Sequence, residues 1–133
     1  MMPTATFTKV ILYTDNDGRS QFREEAWELK PSGVIGLLSE VFPATGYQFR
    51  HSPKGYENTF HNSPAPQWVF VLAGLMEIEL VDGSMRRFKA GESFYSADVL
   101  PKGVEFQSGI HGHISRQMGD EPLVTLFVKV LQE

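Results

Sequence analysis

The sequence contains no cysteine. A disulfide framework, a thiolate nucleophile and a cysteine-ligated metal site are therefore excluded. The absence fits a reducing compartment. The N-terminal segment also lacks a basic stretch followed by a long apolar stretch, which is the pattern of a secretory signal peptide. From these two absences we predict a cytoplasmic protein.

Long apolar runs and an excess of positive charge are also missing. No run approaches the roughly 20 apolar residues that a membrane-spanning helix needs, so we expect no membrane partner. The formal net charge is −4, and the 12 Lys and Arg residues form no long run. Nucleic acid is therefore an unsuitable partner, because its phosphates select basic surfaces.

The chain does contain many aromatic residues and many short apolar runs. Its 133 residues include 10 Phe, and 41% of them are hydrophobic, which is enough to form a folded core. Alternating runs separated by Gly and Pro turns are typical of an all-β jelly-roll barrel. We predict a single domain over 1–133, with N-terminal strands over about 5–42 and a barrel core over about 45–131. The segment 22–29 fits a short helix or a strand.

The central part of the chain is predicted to form a hairpin. Residues 67–72 are apolar, β-branched and aromatic, as in a buried strand, and residues 76–80 then alternate strictly. Asp82 and Gly83 predict a two-residue type I′ turn. Such a turn sets Arg86 opposite Glu79 on a face expected to be solvated.

A loop before this hairpin carries a spaced motif. Gly55, His61, Gln67 and Gly74 match the spacing of the first motif of the cupin superfamily, G-x5-H-x-H-x3,4-E-x6-G. Two positions depart from it, since Ser63 stands in place of the second histidine and Gln67 in place of the glutamate. The sequence resembles the small single-domain bacterial cupins over nearly its whole length. The resemblance implies a cupin-type double-stranded β-helix, which is a jelly roll.

The second cupin motif, G-x5-P-x-G-x2-H-x3-N, fits the sequence in two registers. If Pro101 and Gly103 form its centre, Phe106 takes the place of the histidine. If the motif ends at His113, the chain has an insertion before that residue. We prefer the second register, because Gly-His-Ile-Ser-Arg resembles the same segment of the small cupins.

The resemblance implies a metal site. Its candidate ligands are His61, Gln67 and His113, with His111 as a possible third imidazole. Imidazoles suit one divalent transition metal such as Mn, Fe, Ni or Zn, but this set includes no anionic ligand. The alternative is a metal-free pocket, in which His61 becomes the candidate general base because its ordinary pKa lies near neutrality.

Strand alternation predicts the walls of the pocket. If Gln67 faces the cavity, Val69 and Val71 also line it, while Trp68 points outward. Further candidates are aromatic side chains of neighbouring segments and a basic residue that could hold a substrate carboxylate. These are Tyr47, Phe49, Phe60 and Arg116.

Two function hypotheses follow from these residues and the resemblance. The first is a small-molecule-binding cupin that acts as a metal-assisted enzyme on a small polar or acidic metabolite. The second is a non-catalytic binding or sensing cupin with a degenerate metal site. Whether the protein is an enzyme is therefore left open. We also expect a homodimer, because cupins often pair through an edge strand.

Overall fold

The computed structural model describes residues 5–33 and 36–131, and these residues fold entirely into strands and connecting loops. None of them forms a helix that is long and apolar enough to cross a membrane. The segment 22–29, for which a helix was an alternative, lies in a strand. The strands are β1 (Ala5–Thr14), β2 (Ser20–Pro31), β3 (Leu37–Leu38), β4 (Gly46–Ser52), β5 (Gln67–Ala73), β6 (Leu75–Leu80), β7 (Met85–Lys89), β8 (Ser93–Ala97), β9 (His113–Met118) and β10 (Leu123–Lys129).

The strands form two sheets that face each other. The large sheet has seven strands in the order β3-β2-β1-β8-β5-β10-β4, and the small sheet has the order β7-β6-β9. The segment 57–61 extends the small sheet, because antiparallel bridges join Glu57 to Arg116 and His61 to His113. The small sheet therefore continues beyond β9 into this segment.

The strand order is that of a jelly roll. From β4 onward, the chain contributes eight segments, and the first of them pairs with the last, β4 with β10. The second, 57–61, pairs with β9, the third and sixth are β5 and β8, and the fourth and fifth are the hairpin β6–β7. This nesting of antiparallel pairs defines the jelly-roll topology. The predicted all-β jelly-roll fold is confirmed.

The N-terminal strands enlarge one sheet of the jelly roll. β1 pairs in parallel with β8, and β2 pairs along the full length of β1 as an antiparallel neighbour. β3 follows at the edge of the large sheet. Part of the predicted strand region, residues 34–35, lies outside the described residues.

The core lies between the inner faces of the two sheets. Strand alternation sends apolar side chains of both sheets toward each other, where removal from water stabilises the fold by roughly 25 cal/mol per Å². The large sheet contributes Val10, Leu12, Val69, Val71, Phe94 and Leu123, and the small sheet contributes Met76, Ile78, Leu80 and Phe88.

The predicted hairpin forms, but its turn is longer than expected. The amide of Leu80 donates to the carbonyl of Ser84, so that three residues form the loop, and Gly83 has a φ of +89°. A left-handed glycine in the last loop position is typical of three-residue hairpin loops. The extra residue shifts the register by one, and Arg86 pairs with Ile78 instead of Glu79.

The shifted register changes the charged face of this hairpin. Glu77 pairs across the strands with Arg87, whose Nε donates to the Glu77 carboxylate at 2.9 Å. Arg116 of β9 donates to the other carboxylate oxygen at 3.1 Å. The Glu77 side chain is only 5% exposed. The prediction of a wholly solvated face is therefore wrong at this position.

Candidate functional site

A cavity of about 220 Å³ lies between the two sheets. One part of its wall is apolar and belongs to the core, with Val69, Met76, Ile78, Phe94 and Phe127. The other part is polar and basic, with Gln48, Arg50, His61, Gln67, His113 and Lys129. The cavity therefore combines an apolar wall with a polar wall, as small-molecule sites usually do.

Two histidines meet at this cavity, although 52 positions separate them in the sequence. The amide of His61 donates to the carbonyl of His113 at 3.0 Å, and the amide of His113 donates to the carbonyl of His61 at 2.9 Å. Their ring centroids are 4.7 Å apart. Gly112 makes this approach possible, because a Cβ there would lie 2.7 Å from the carbonyl oxygen of His61, and its φ is +91°.

Each imidazole is held by its Nδ1 atom. The Nδ1 of His113 lies 2.7 Å from Oδ2 of Asp98, and the Nδ1 of His61 lies 2.8 Å from the carbonyl oxygen of Thr59. A carboxylate and a carbonyl accept hydrogen bonds, so each Nδ1 carries the proton. In the neutral form of each ring the Nε2 then keeps its lone pair, and among the described residues neither Nε2 has a hydrogen-bond partner. Both rings line the cavity.

Asp98 is a fully buried carboxylate behind His113. Besides His113, it accepts hydrogen bonds from Thr14 Oγ1 at 2.6 Å, from Asn62 Nδ2 at 3.2 Å and from Ser20 Oγ. Burial by itself raises the pKa of Asp98. The hydrogen bonds from His113, Ser20 and Thr14 outweigh it, so the pKa lies below its ordinary value. Asp98 is therefore a charged anchor for His113.

The imidazole of His61 is kept neutral by its surroundings. Burial lowers its pKa below the ordinary value, and the neighbouring His113 and Arg50 act in the same direction. The hydrogen bond to the carbonyl of Thr59 opposes them without reversing the result. At neutral pH, His61 therefore presents a basic nitrogen to the cavity.

Two cationic side chains share the cavity with the histidines. Lys129 Nζ donates to Gln67 Oε1 at 3.2 Å. The guanidinium of Arg50 lies 5.1 Å from the ring centroid of Tyr56 and 5.3 Å from that of Phe127, and its Nη2 donates to the Tyr56 hydroxyl at 2.8 Å. The described residues that line the cavity include no Asp or Glu.

The donor set does not fit a resident divalent metal. The two free Nε2 atoms suit a metal, and Nδ1 contacts of this kind orient metal-binding histidines. However, the amide oxygen of Gln67 already faces the ammonium of Lys129, and the hydroxyl of Ser63 is 2.5 Å from that of Ser96. Within residues 5–33 and 36–131, no group of three or more His, Asp and Glu side chains could hold a metal ion. Two neutral imidazoles beside fixed cations leave the charge of a dication uncompensated.

No protein-family model matches this chain, and no curated protein matches it. Among solved structures, it is similar to the cupin domain of Cnp3 from Schizosaccharomyces pombe. The similarity covers 96% of this chain and 84% of that one, at 13% sequence identity and a TM-score of 0.45. The jelly-roll assignment rests on the strand order described above, and membership of the bacterial cupins stays a prediction.

The structure brings three of the four predicted metal ligands to the cavity. His61, Gln67 and His113 line it, whereas His111 does not. The ring of His111 is buried outside the cavity, where its Nδ1 accepts a hydrogen bond from the amide of Gln107 at 2.9 Å. The prediction of His111 as a third imidazole is wrong, because the turn before β9 holds its ring.

Arg116 also lies outside the cavity. It forms ion pairs with Glu79 at 2.7 Å, Glu57 at 2.9 Å and Glu77 at 3.1 Å. Hydrogen bonds to Glu57 and Glu79 raise the pKa of its guanidinium above the ordinary value. The guanidinium of Arg116 is therefore already paired with three carboxylates of the protein. The prediction that it holds a substrate carboxylate is wrong.

The predicted pocket walls are partly right. Val69 lines the cavity, while Val71 lies on the same face of β5 within the core and is 1% exposed. Tyr47 and Phe49 are 73% and 61% exposed on the opposite side of the large sheet. Phe60 lines a shallow apolar depression beside His61. The prediction that these three aromatic residues line the cavity is therefore wrong.

Sequence reasoning missed three residues of the site: Asp98, Arg50 and Lys129. The pairing of β4 with β10 places Tyr47 opposite Val128 and Arg50 opposite Thr125, so Arg50 lies on the inner face. Alternation in β10 likewise separates Lys129 from Val128. Both strands show alternation in their sequences, but alternation alone does not say which of the two faces of a strand is the inner one.

Proposed function

We propose that the protein binds a small polar or acidic molecule in the cavity between its sheets, in contact with Nε2 of His61 and His113. The observation that carries the proposal is the pair of imidazoles, each held by its Nδ1 atom with its Nε2 free beside the cavity. A volume of about 220 Å³ is below the roughly 300–1,000 Å³ of drug-sized sites, which supports a small metabolite.

A second candidate function is proton-transfer catalysis on the bound molecule. The buried carboxylate of Asp98 holds the Nδ1 proton of His113 and would stabilise the imidazolium that forms when Nε2 accepts a proton. His61 was the base predicted from the sequence. The Asp98 contact favours His113 for this role, with His61 as a neutral hydrogen-bond acceptor beside it.

The binding proposal can be tested by NMR, because the four histidines provide their own control. The ring resonances of His61 and His113 belong to the cavity, whereas those of His51 and His111 lie outside it. A library of small polar compounds is screened against the protein. We expect each compound that binds to shift the ring resonances of His61 and His113 and to leave those of His51 and His111 unchanged. Hits that shift only His51 or His111 would contradict the proposal.

The catalytic candidate needs a separate measurement. Each hit is incubated with the protein in D₂O, and exchange of its carbon-bound protons for deuterium is followed by NMR. A proton-transfer enzyme exchanges a proton of its ligand, and the variant His113→Gln abolishes exchange even at ligand concentrations that saturate its weakened binding. Binding without any exchange or conversion supports the non-catalytic alternative.

A further inference from the structure

The cavity contains positive charge that the protein itself does not neutralise. Four of the five other arginines in the described residues, Arg23, Arg86, Arg87 and Arg116, each pair with a carboxylate. Within the same part of the chain, Arg50 and Lys129 have no carboxylate partner. Their hydrogen-bond partners are a tyrosine hydroxyl and a glutamine amide. Both cations line the cavity, so both are accessible to a molecule bound there.

The guanidinium of Arg50 is held in place before any ligand binds. The rings of Tyr56 and Phe127 lie within 5.1 and 5.3 Å of it, and the Tyr56 hydroxyl accepts from one of its nitrogens at 2.8 Å. A guanidinium has five N–H donors, so most of them remain for a ligand. Fixing a binding group in advance reduces the entropy lost when a ligand is bound. Arg50 is thus arranged as an anion receptor.

Lys129 adds a second charge on the same inner face. It lies opposite Gln67 in the pairing of β10 with β5, and its ammonium contacts the neutral amide oxygen of that residue at 3.2 Å. An amide oxygen orients an ammonium group but does not neutralise it. A ligand anion at this position would gain a charge-assisted hydrogen bond.

We propose, on the basis of the function proposed above, that the ligand of this cavity is a small organic carboxylate whose anionic group pairs with Arg50 and Lys129. The apolar part of the wall, with Val69, Ile78 and Phe94, accommodates a short hydrocarbon body. Inorganic phosphate has no such body. The combination of cationic and apolar walls therefore favours an organic acid over an inorganic anion.

The experiment compares acids with their neutral analogues. Straight-chain carboxylates of two to six carbons, their primary amides and inorganic phosphate are titrated against the protein. Affinity is read from calorimetry and from the His61 and His113 ring resonances. We expect the best carboxylate to bind at least about tenfold more tightly than its amide, because charge-assisted hydrogen bonds are the stronger kind.

Variants identify the cations responsible. Arg50→Gln and Lys129→Gln should each reduce the preference for the acid over the amide by several-fold. Arg50→Lys keeps the charge and should keep part of the preference, which also guards against a folding defect in Arg50→Gln. The matched control is Arg23→Gln, an exposed arginine paired with Glu25 outside the cavity, and it should leave the preference unchanged.

Four outcomes would overturn the inference, and they differ in what they say about the cavity. If acids and amides bind equally and shift both cavity histidines, the anion site is wrong while small-molecule binding stands. If phosphate binds as tightly as the best acid, the ligand class is wrong. If acids bind without shifting the resonances of His61 or His113, both the inference and the proposed binding site are wrong. If no acid binds, the inference alone is wrong.

Discussion

The two faces of the large sheet have opposite character. On the inner face, β4, β5 and β10 direct polar and basic side chains into the cavity, among them Arg50 and Lys129. On the outer face, the same three strands carry aromatic side chains, including Phe49 and Trp68. Core residues such as Val69 and Phe127 share this inner face, so polar and apolar side chains are mixed there, although polar groups usually face water.

The polar side chains of the inner face identify where function constrains the sequence. A polar or charged group in the interior costs free energy unless it is hydrogen-bonded or paired, so it is retained where a ligand or a proton needs it. The inner face meets this cost with specific partners, such as Asp98 for His113. On the outer face, Glu25 accepts hydrogen bonds from Arg23 and from Trp27 at partly exposed positions.

The aromatic residues of the outer face contact one another along the sheet. Trp68 lies 6.2 Å from Trp27, 5.4 Å from Tyr95 and 5.7 Å from Phe70, measured between ring centroids. The ammonium of Lys9 lies 5.2 Å from the Trp68 ring. Trp68 therefore points outward as predicted, and in the described residues it packs against its own sheet. A homodimer that covers this face stays a prediction.

The strongest test of the inner face is Asp98→Asn. The amide replaces an acceptor of four hydrogen bonds and places N–H groups against the donors Ser20 and Thr14. We expect a loss of about 3 kcal/mol or more in the free energy of unfolding, measured by urea denaturation, because a buried polar network loses its charge and its pairing. The control Asp120→Asn, an exposed ion pair with Lys54, should cost less than ~1 kcal/mol. Equal effects of the two variants would contradict the role of Asp98.

A second test addresses the approach of His61 to His113. Gly112→Ala places a Cβ against the backbone of His61 and adopts an unfavourable positive φ. Gly55→Ala at φ +86° meets no atom within 4 Å, so it measures the backbone strain alone, roughly 1–2 kcal/mol. We expect Gly112→Ala to cost clearly more and to shift both cavity histidine resonances. If the two variants cost the same and leave these resonances unchanged, the close approach is not needed.

The pH dependence of stability reports the half-buried environment of His61. Its pKa is lowered in the folded protein, so the unfolded chain binds the proton more tightly. Stability from this group is therefore complete above its ordinary pKa of about 6.5 and is lost as the pH falls toward the folded value. We expect the drop in melting temperature from pH 7.5 to pH 5.5 to be smaller in His61→Gln than in the parent. His51→Gln, at an exposed position, should retain the parent profile.

The smallest effect on monomer stability is expected on the outer face. Phe49 is 61% exposed, so Phe49→Lys should change the free energy of unfolding of a monomer by about 0.5 kcal/mol or less. If this face pairs two copies, the same variant dissociates the dimer in sedimentation velocity. Met85→Lys, at a 59% exposed position on the small sheet, is the control. If the parent protein sediments as a monomer, the prediction of a homodimer is wrong.

Some local structure could be predicted because it depends on neighbouring residues. Alternation in 67–72 placed Val69 inward and Trp68 outward, and the Gly and Pro turns marked the ends of most strands. The hairpin after Gly74 was also predicted, although its register was not. The observed loop includes Val81 in addition to Asp82 and Gly83, and this one added residue changes every cross-strand partner.

The sequence by itself determined the all-β class, the alternation of each strand and the position of His61 at the entrance to β5. Only the tertiary structure decided which face of each strand is the inner one, because that depends on pairing between strands far apart in the chain. Arg50 reaches the cavity through the pairing of β4 with β10, and Lys129 lies opposite Gln67 through the pairing of β10 with β5. Asp98 reaches His113 across a 15-residue connection. Local periodicity is identical for a strand and for the same strand turned over, so packing of the two sheets had to choose between them.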